Sequence, residues 1–172
     1  MGLEFELDPP LTGELRAQVI ALWTDVTNAG GAVGFVAPVT EDQVRPTADQ
    51  ALYGVASGHD HWLVGLEDGR LVALLFITDN RFTLKSHWRL LKRVMVAPGC
   101  QGKGYGGLLM REAEHVARKM GLTALQVTVR GGQDIEGFYA RHRYRVVGRI
   151  PGALRVAPGD DRDELIMWLA LD

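Results

Sequence analysis

The chain has 172 residues, of which 47% are hydrophobic and 23% charged, with a formal net charge of −2. Such values belong to an ordinary globular protein, and they exclude a strongly basic chain that grips nucleic acid by its phosphates. The single cysteine, Cys100, rules out an internal disulfide framework and a multi-cysteine zinc site, and it fits a reducing, cytoplasmic compartment. The longest apolar run, Leu71 to Ile77, is too short to cross a bilayer. The opening Met1-Gly2-Leu3-Glu4-Phe5-Glu6 lacks the cationic and apolar segments of a secretion signal. One domain over residues 1–172 is expected, with neither membrane nor nucleic acid as partner.

The first predicted element is a short strand, Leu3 to Leu7, closed by Asp8-Pro9-Pro10. From Glu14 onward, Leu15, Val19, Ile20, Leu22, Trp23 and Val26 recur at helical spacing, up to a stop at Asn28-Ala29-Gly30-Gly31. Gly31 to Pro38 reads as a loop carrying Val33, Phe35 and Val36. A second helix is expected from Thr40, with Glu41 and Asp42 in its first turn, fading at Ser57-Gly58. Strands His61 to Leu66 and Leu71 to Thr78 form a hairpin across Glu67-Asp68-Gly69-Arg70.

A longer strand is expected from Trp88 to Val96, ending at Ala97-Pro98-Gly99. The next helix puts Leu108, Leu109, Ala113, Val116, Ala117 and Met120 on one face and stops at Gly121. Leu125, Val127 and Val129 alternate as a strand, and Ile135, Phe138 and Tyr139 share a face of a short helix. The last two strands are expected at Arg145 to Ile150 and Glu164 to Leu171, around a loop rich in Gly, Pro and Asp. This order predicts an α/β fold, a mixed and mostly antiparallel sheet with helices on both faces.

The most informative stretch is Val94-Met95-Val96-Ala97-Pro98-Gly99-Cys100-Gln101-Gly102-Lys103-Gly104-Tyr105-Gly106, a strand, a tight loop and a helix start. Glycines there allow backbone N–H groups to approach an anion, and the helix dipole favours negative charge. A dinucleotide fingerprint would space its glycines differently and sit early in a parallel unit. A P-loop would follow Gly102-Lys103 with Ser or Thr, where this chain has Gly104.

Gln101-x-x-Gly104-x-Gly106, after Val-Met-Val-x-Pro and before an amphipathic helix, resembles the acetyl-CoA pyrophosphate signature of the GNAT superfamily of N-acetyltransferases. Phe138-Tyr139 and Tyr144-x-x-Val147-Gly148 follow at family spacing, and Gly30-Gly31-x-Val33-Gly34-Phe35 is similar to bacterial members of the tabtoxin-resistance type. The resemblance implies transfer of acetyl from acetyl-CoA to a primary amine, without a metal. It implies that the backbone of Val94, Met95 and Val96 bonds the pantetheine arm. The pyrophosphate would rest on Gln101, Gly102, Lys103, Gly104, Tyr105 and Gly106, and Phe138 would wall the cofactor. Tyr139 matches the tyrosine that protonates the departing thiolate, a role a well-placed phenol can fill.

The chain departs from the family at Gly132, where relatives often have Asn, and at Arg143, where the helix usually ends in Gly. Leu90 and Thr128 stand where the acidic base is often found. His87 is therefore a candidate base, because an imidazole titrates near neutrality. His59, His61, His115 and His142 form no metal-ligand spacing. The acidic run Asp160-Asp161-Arg162-Asp163-Glu164 reads as a solvated turn that could draw in a cationic amine through its field. The expected acceptor is a small-molecule amine. Acetylation of a protein amine and non-catalytic CoA binding are the alternatives, and a homodimer is compatible with the sequence.

Overall fold

The computed structural model describes residues 2–172; Met1, the first residue of the expected domain, lies outside the described residues. Its elements, in chain order, are β1 (Leu3–Leu7), α1 (Gly13–Asn28), α2 (Glu41–Ala56), β2 (His61–Glu67), β3 (Arg70–Thr78), β4 (Trp88–Val96), α3 (Tyr105–Lys119), β5 (Ala124–Arg130), α4 (Ile135–Arg141), β6 (Arg145–Ala157) and β7 (Asp160–Ala170). Helix starts follow side-chain chemistry. The Thr12 hydroxyl accepts from the N–H of Leu15 to cap α1, and Thr40 with Gln43 forms a reciprocal capping box on α2.

The strands form one sheet in the order β1-β2-β3-β4-β5-β7-β6. Every neighbouring pair is antiparallel except β4 and β5. A core of Trp23, Ile20, Val44, Trp62, Leu74 and Met95 lies between the sheet and α1 and α2. A second, with Leu75, Leu91, Leu109, Ala113, Leu125, Tyr139 and Met167, packs α3 and α4 on the other side. Alternation along β3 makes this possible, since Leu74 and Phe76 go one way and Ala73, Leu75 and Ile77 the other.

Two expectations are corrected. The residues after Ile150 are not an open loop: β6 and β7 run on as a hairpin to a turn at Pro158-Gly159, with irregular register at Val146/Gly148, Ile150/Leu154 and Arg155/Ala157. β6 is the edge strand, where proline at 151 and these irregularities are tolerated. The acidic run is accordingly strand rather than turn. Asp161 pairs with Arg155, Asp160 with Arg162, and Asp163 with Arg149 and the N–H of Gly152. On α3, Leu108 is 38% exposed and Met110 takes the buried place expected for it.

Candidate active site at the splayed strands

Strands β4 and β5 are hydrogen-bonded neighbours for only three residue pairs, Trp88↔Ala124, Arg89↔Leu125 and Leu90↔Gln126. Beyond Leu90 the two strands part. The cause lies in β4: Met95 faces Leu74 and Lys92 faces Phe76, so two residues, Arg93 and Val94, oppose Leu75 alone. Arg93 takes φ 54°, in the left-handed region, and this bulge bends the strand away from β5. The gap is a cavity of about 180 Å³ lined by Leu90 to Val94 of β4, Val127 and Thr128 of β5, Ala32, and Tyr139 of α4.

Val96 leads from the bulged strand to the glycine-rich loop. Gly102 and Gly104 have φ of 84° and 80°, a conformation that glycine alone adopts freely, and Gly104 is the N-cap of α3. A Cβ built on either would meet nothing within 4 Å, so their outer face is open. The first backbone bond of the helix runs from Leu108 to Gly104, and the N–H groups of Gly102 to Gly107 have no acceptor among the described residues. That row of free donors at a helix start fits a pyrophosphate. Gln101 differs from expectation, because its N–H is directed to the carbonyl of Pro98 at 3.4 Å.

Lys103 and Tyr105 are tied behind the loop. Tyr105 donates to Glu67, and Lys103 lies 3.5 Å from the same carboxylate and 5.5 Å from the Tyr105 ring. The Tyr105 hydrogen bond holds the Glu67 carboxyl below its usual range, while the Tyr105 phenol is pushed up to about 12. The hairpin turn thus braces the loop from below and offsets the lysine charge.

Phe138 and Tyr139 close the other side. The Phe138 ring would be 3.4 Å from a Cβ on Gly106, with Val96 just beyond, and it meets Tyr139 edge-on at 5.1 Å. The loop, the strand and the aromatic pair expected from the sequence are therefore brought together, the strand with a bulge that was not expected. Tyr139 is 8% exposed, and burial pushes its phenol well above the ordinary tyrosine value. Arg143 ends the helix after all: it takes φ 69°, and its guanidinium pairs with Glu114. Gly132, at φ 89°, leaves room for Arg162, whose Nη1 would lie 2.8 Å from an added Cβ.

His87 is not brought to the cleft. It is exposed, it precedes the paired end of β4, and its carbonyl accepts from the Thr123 N–H and hydroxyl. Strand rise puts it roughly 20 Å along β4 from Val94. His59 and His115 are exposed, His61 bonds Asp8 at 2.5 Å, and the His142 ring meets Phe138 at 5.0 Å. No cluster of potential metal ligands occurs among the described residues.

Two side chains at the cleft were not singled out in the sequence: Arg93, and Glu164, which was read only as one member of the acidic run. Glu164 stands opposite Arg130 on β7 and lines a cavity of about 350 Å³ that shares Ala32, Arg93 and Thr128 with the smaller one. Unlike Asp160, Asp161 and Asp163, it has no hydrogen bond or ion pair among the described residues. Arg93 itself was passed over as one of three cationic residues, with Arg89 and Lys92, in a strand read for its apolar positions, since a bulge leaves no mark in the composition.

The chain resembles known proteins in family and in fold. Residues 18–144 match the acetyltransferase (GNAT) family. The fold matches yncA from Salmonella typhimurium, whose structure contains its cofactor acetyl-CoA, at a TM-score of 0.74 and 18% identity over 100% of this chain and 95% of that one. It matches a ribosomal-protein-alanine N-acetyltransferase from Brucella melitensis at 0.77 and 19%, over 99% and 100%. A protein provisionally named a phosphinothricin N-acetyltransferase matches at 0.80 and 20%, over 99% of both chains. The chain belongs to the GNAT family and is an acetyl-CoA-dependent N-acetyltransferase. No helix among the described residues is long and apolar enough to cross a membrane.

Proposed function

We propose that this enzyme acetylates the primary amine of a small molecule by direct attack in a ternary complex. The observation that carries the reading is the continuity of the splay with two further cavities, of about 350 and 450 Å³, sized for a small acceptor. Bound acetyl-CoA supplies an activated acyl carbon and a thiolate leaving group. The free N–H groups from Gly102 to Gly107 suit its pyrophosphate, the open edge of Val94, Met95 and Val96 suits its amide-bearing arm, and Phe138 suits its wall.

Tyr139 is the general acid in this reading. Its burial keeps the phenol protonated at neutral pH, so a proton is at hand for the sulfur. The acceptor must lose a proton first, because an alkyl ammonium has a pKa of about 10.4 and cannot attack. With His87 remote, the proton leaves through water towards Glu164, the carboxylate in the cavity wall that has no partner among the described residues. A cytoplasmic location fits the free thiol of Cys100.

Thiol release from acetyl-CoA, measured across a panel of small amines and amine-bearing peptides, tests the proposal. Turnover of small amines is expected. Turnover of peptides alone would replace the small-molecule reading, and acetyl-CoA binding with no turnover would make the chain a CoA-binding module.

A further inference from the structure

Arg93 is the one residue that lines all three cavities around the cleft, those of about 180, 350 and 450 Å³. Its guanidinium lies 5.6 Å from the Trp23 ring centroid. On its other side is Gly34, where an added Cβ would fall 2.5 Å from Nη1 and 2.8 Å from Cζ. The loop after α1 thus gives up a side chain to admit this cation, and the indole holds it in place.

What the arginine lacks is an anion. It makes no salt bridge or hydrogen bond among the described residues. The carboxylates along these cavities are otherwise disposed: both oxygens of Asp60 are taken by Arg81, and Glu164 lies beyond 4.0 Å of any cation among the described residues. Burial disfavours its charged form, with no acidic neighbour opposing that effect. Arg130, in the wall of the 350 Å³ cavity, is also without a salt bridge among the described residues. A fixed, partly desolvated guanidinium without a partner is a receptor for carboxylate or phosphonate, which it binds through two parallel hydrogen bonds.

The geometry points to an acceptor that carries an anionic group beside its amine, the anion seated on Arg93 and the amine directed to the splay. This rests on the acetyltransferase reading above and adds the class of acceptor. Arg93 is a specificity residue: it holds the acceptor and takes no part in the proton transfers.

Matched pairs test it: norleucine against norleucinamide, and 2-aminoethylphosphonate against ethanolamine. The wild-type enzyme should favour the anionic member of each pair by at least tenfold in kcat/KM. Arg93→Gln should collapse that ratio towards one, and Arg93→Lys should keep part of it. Acetyl-CoA affinity and melting temperature report whether the variants are folded. A wild-type preference for the uncharged members, or an anion preference that survives in folded Arg93→Gln, overturns the inference while leaving the acetyltransferase reading intact. If no amine is turned over, that reading fails, and the anion site is then judged by binding alone. Hexanoate and methylphosphonate should quench tryptophan fluorescence saturably in the wild type and not in Arg93→Gln; no quenching in either protein overturns the site.

Discussion

A phenol can serve a thiolate only while it holds its proton, and the surroundings of Tyr139 secure that by excluding water from its ring. Because burial raises its pKa, the active, protonated form persists as pH rises through the ordinary tyrosine range. Tyr139 should therefore cause no loss of kcat up to pH 9, and a decline attributable to this residue should begin only above about pH 10. Tyr139→Phe keeps the edge-on contacts with Phe138 and Tyr144 but removes the proton. We expect kcat to fall about 10²–10⁴-fold with acetyl-CoA affinity nearly unchanged, as measured by steady-state kinetics and calorimetry. Full turnover in that variant would reduce Tyr139 to a packing residue. The same scale separates two proton acceptors. Glu164→Gln should lower kcat/KM for the amine by at least about tenfold, whereas His87→Ala should change it less than about twofold. The reverse order would return the role to His87.

Among the elements, the glycine-rich loop shows backbone conformation deciding chemistry. A Cβ added at Gly104 would find no atom beyond its chain neighbours within 4 Å, so valine there would stand in the open face above the free N–H groups, at a φ of 80°. The conformational cost is about 1–2 kcal/mol. Gly121, with φ 76° and equally open space at the end of α3, provides the control. Both Gly104→Val and Gly121→Val should lower the melting temperature, but only the first should abolish acetyl-CoA binding in calorimetry. Equal affinity in the two variants would remove the loop from the cofactor site. This loop was legible in the sequence because glycine at 102 and 104 is itself the record of the backbone conformation required. The helix periodicity and the Asp68-Gly69 turn of the β2–β3 hairpin were legible for the same kind of local reason. The β6–β7 extension was not, because Pro151, Gly152 and the acidic residues have loop composition, and their pairing depends on edge position and on arginines in the facing strand. The bulge at Arg93 was equally hidden: it is a mismatch between two strands, visible only once their register is known.

Taken whole, the molecule is a sheet that has given up part of its own cohesion to make a binding site. Strands β1 to β4 on one side and β5, β7 and β6 on the other share three residue pairs, with α3 packed against both groups. Past Leu90, polar backbone groups on the facing edges of β4 and β5 have no ladder partner in one another. A ligand whose amide-bearing arm lies between these strands and whose pyrophosphate lies on the loop would supply the missing contacts to both sides at once. Acetyl-CoA should therefore stabilise the entire fold. For a ligand that binds only the native state, a hundredfold excess over Kd contributes about 2.7 kcal/mol. For a chain of this size that corresponds to a rise in melting temperature of roughly 5–10 °C. The gain should also be localised in a way that simple mass action does not require. Amide hydrogen exchange at Val94 to Val96 and at Gly102 to Gly107 should slow more than at the distant β1–β2 pair when measured with and without acetyl-CoA at equal temperature below the transition. A uniform slowing, with no excess along β4 and the loop, would mean that the ligand binds elsewhere. Protection confined to the loop would leave the pyrophosphate site standing and remove the arm from the splay.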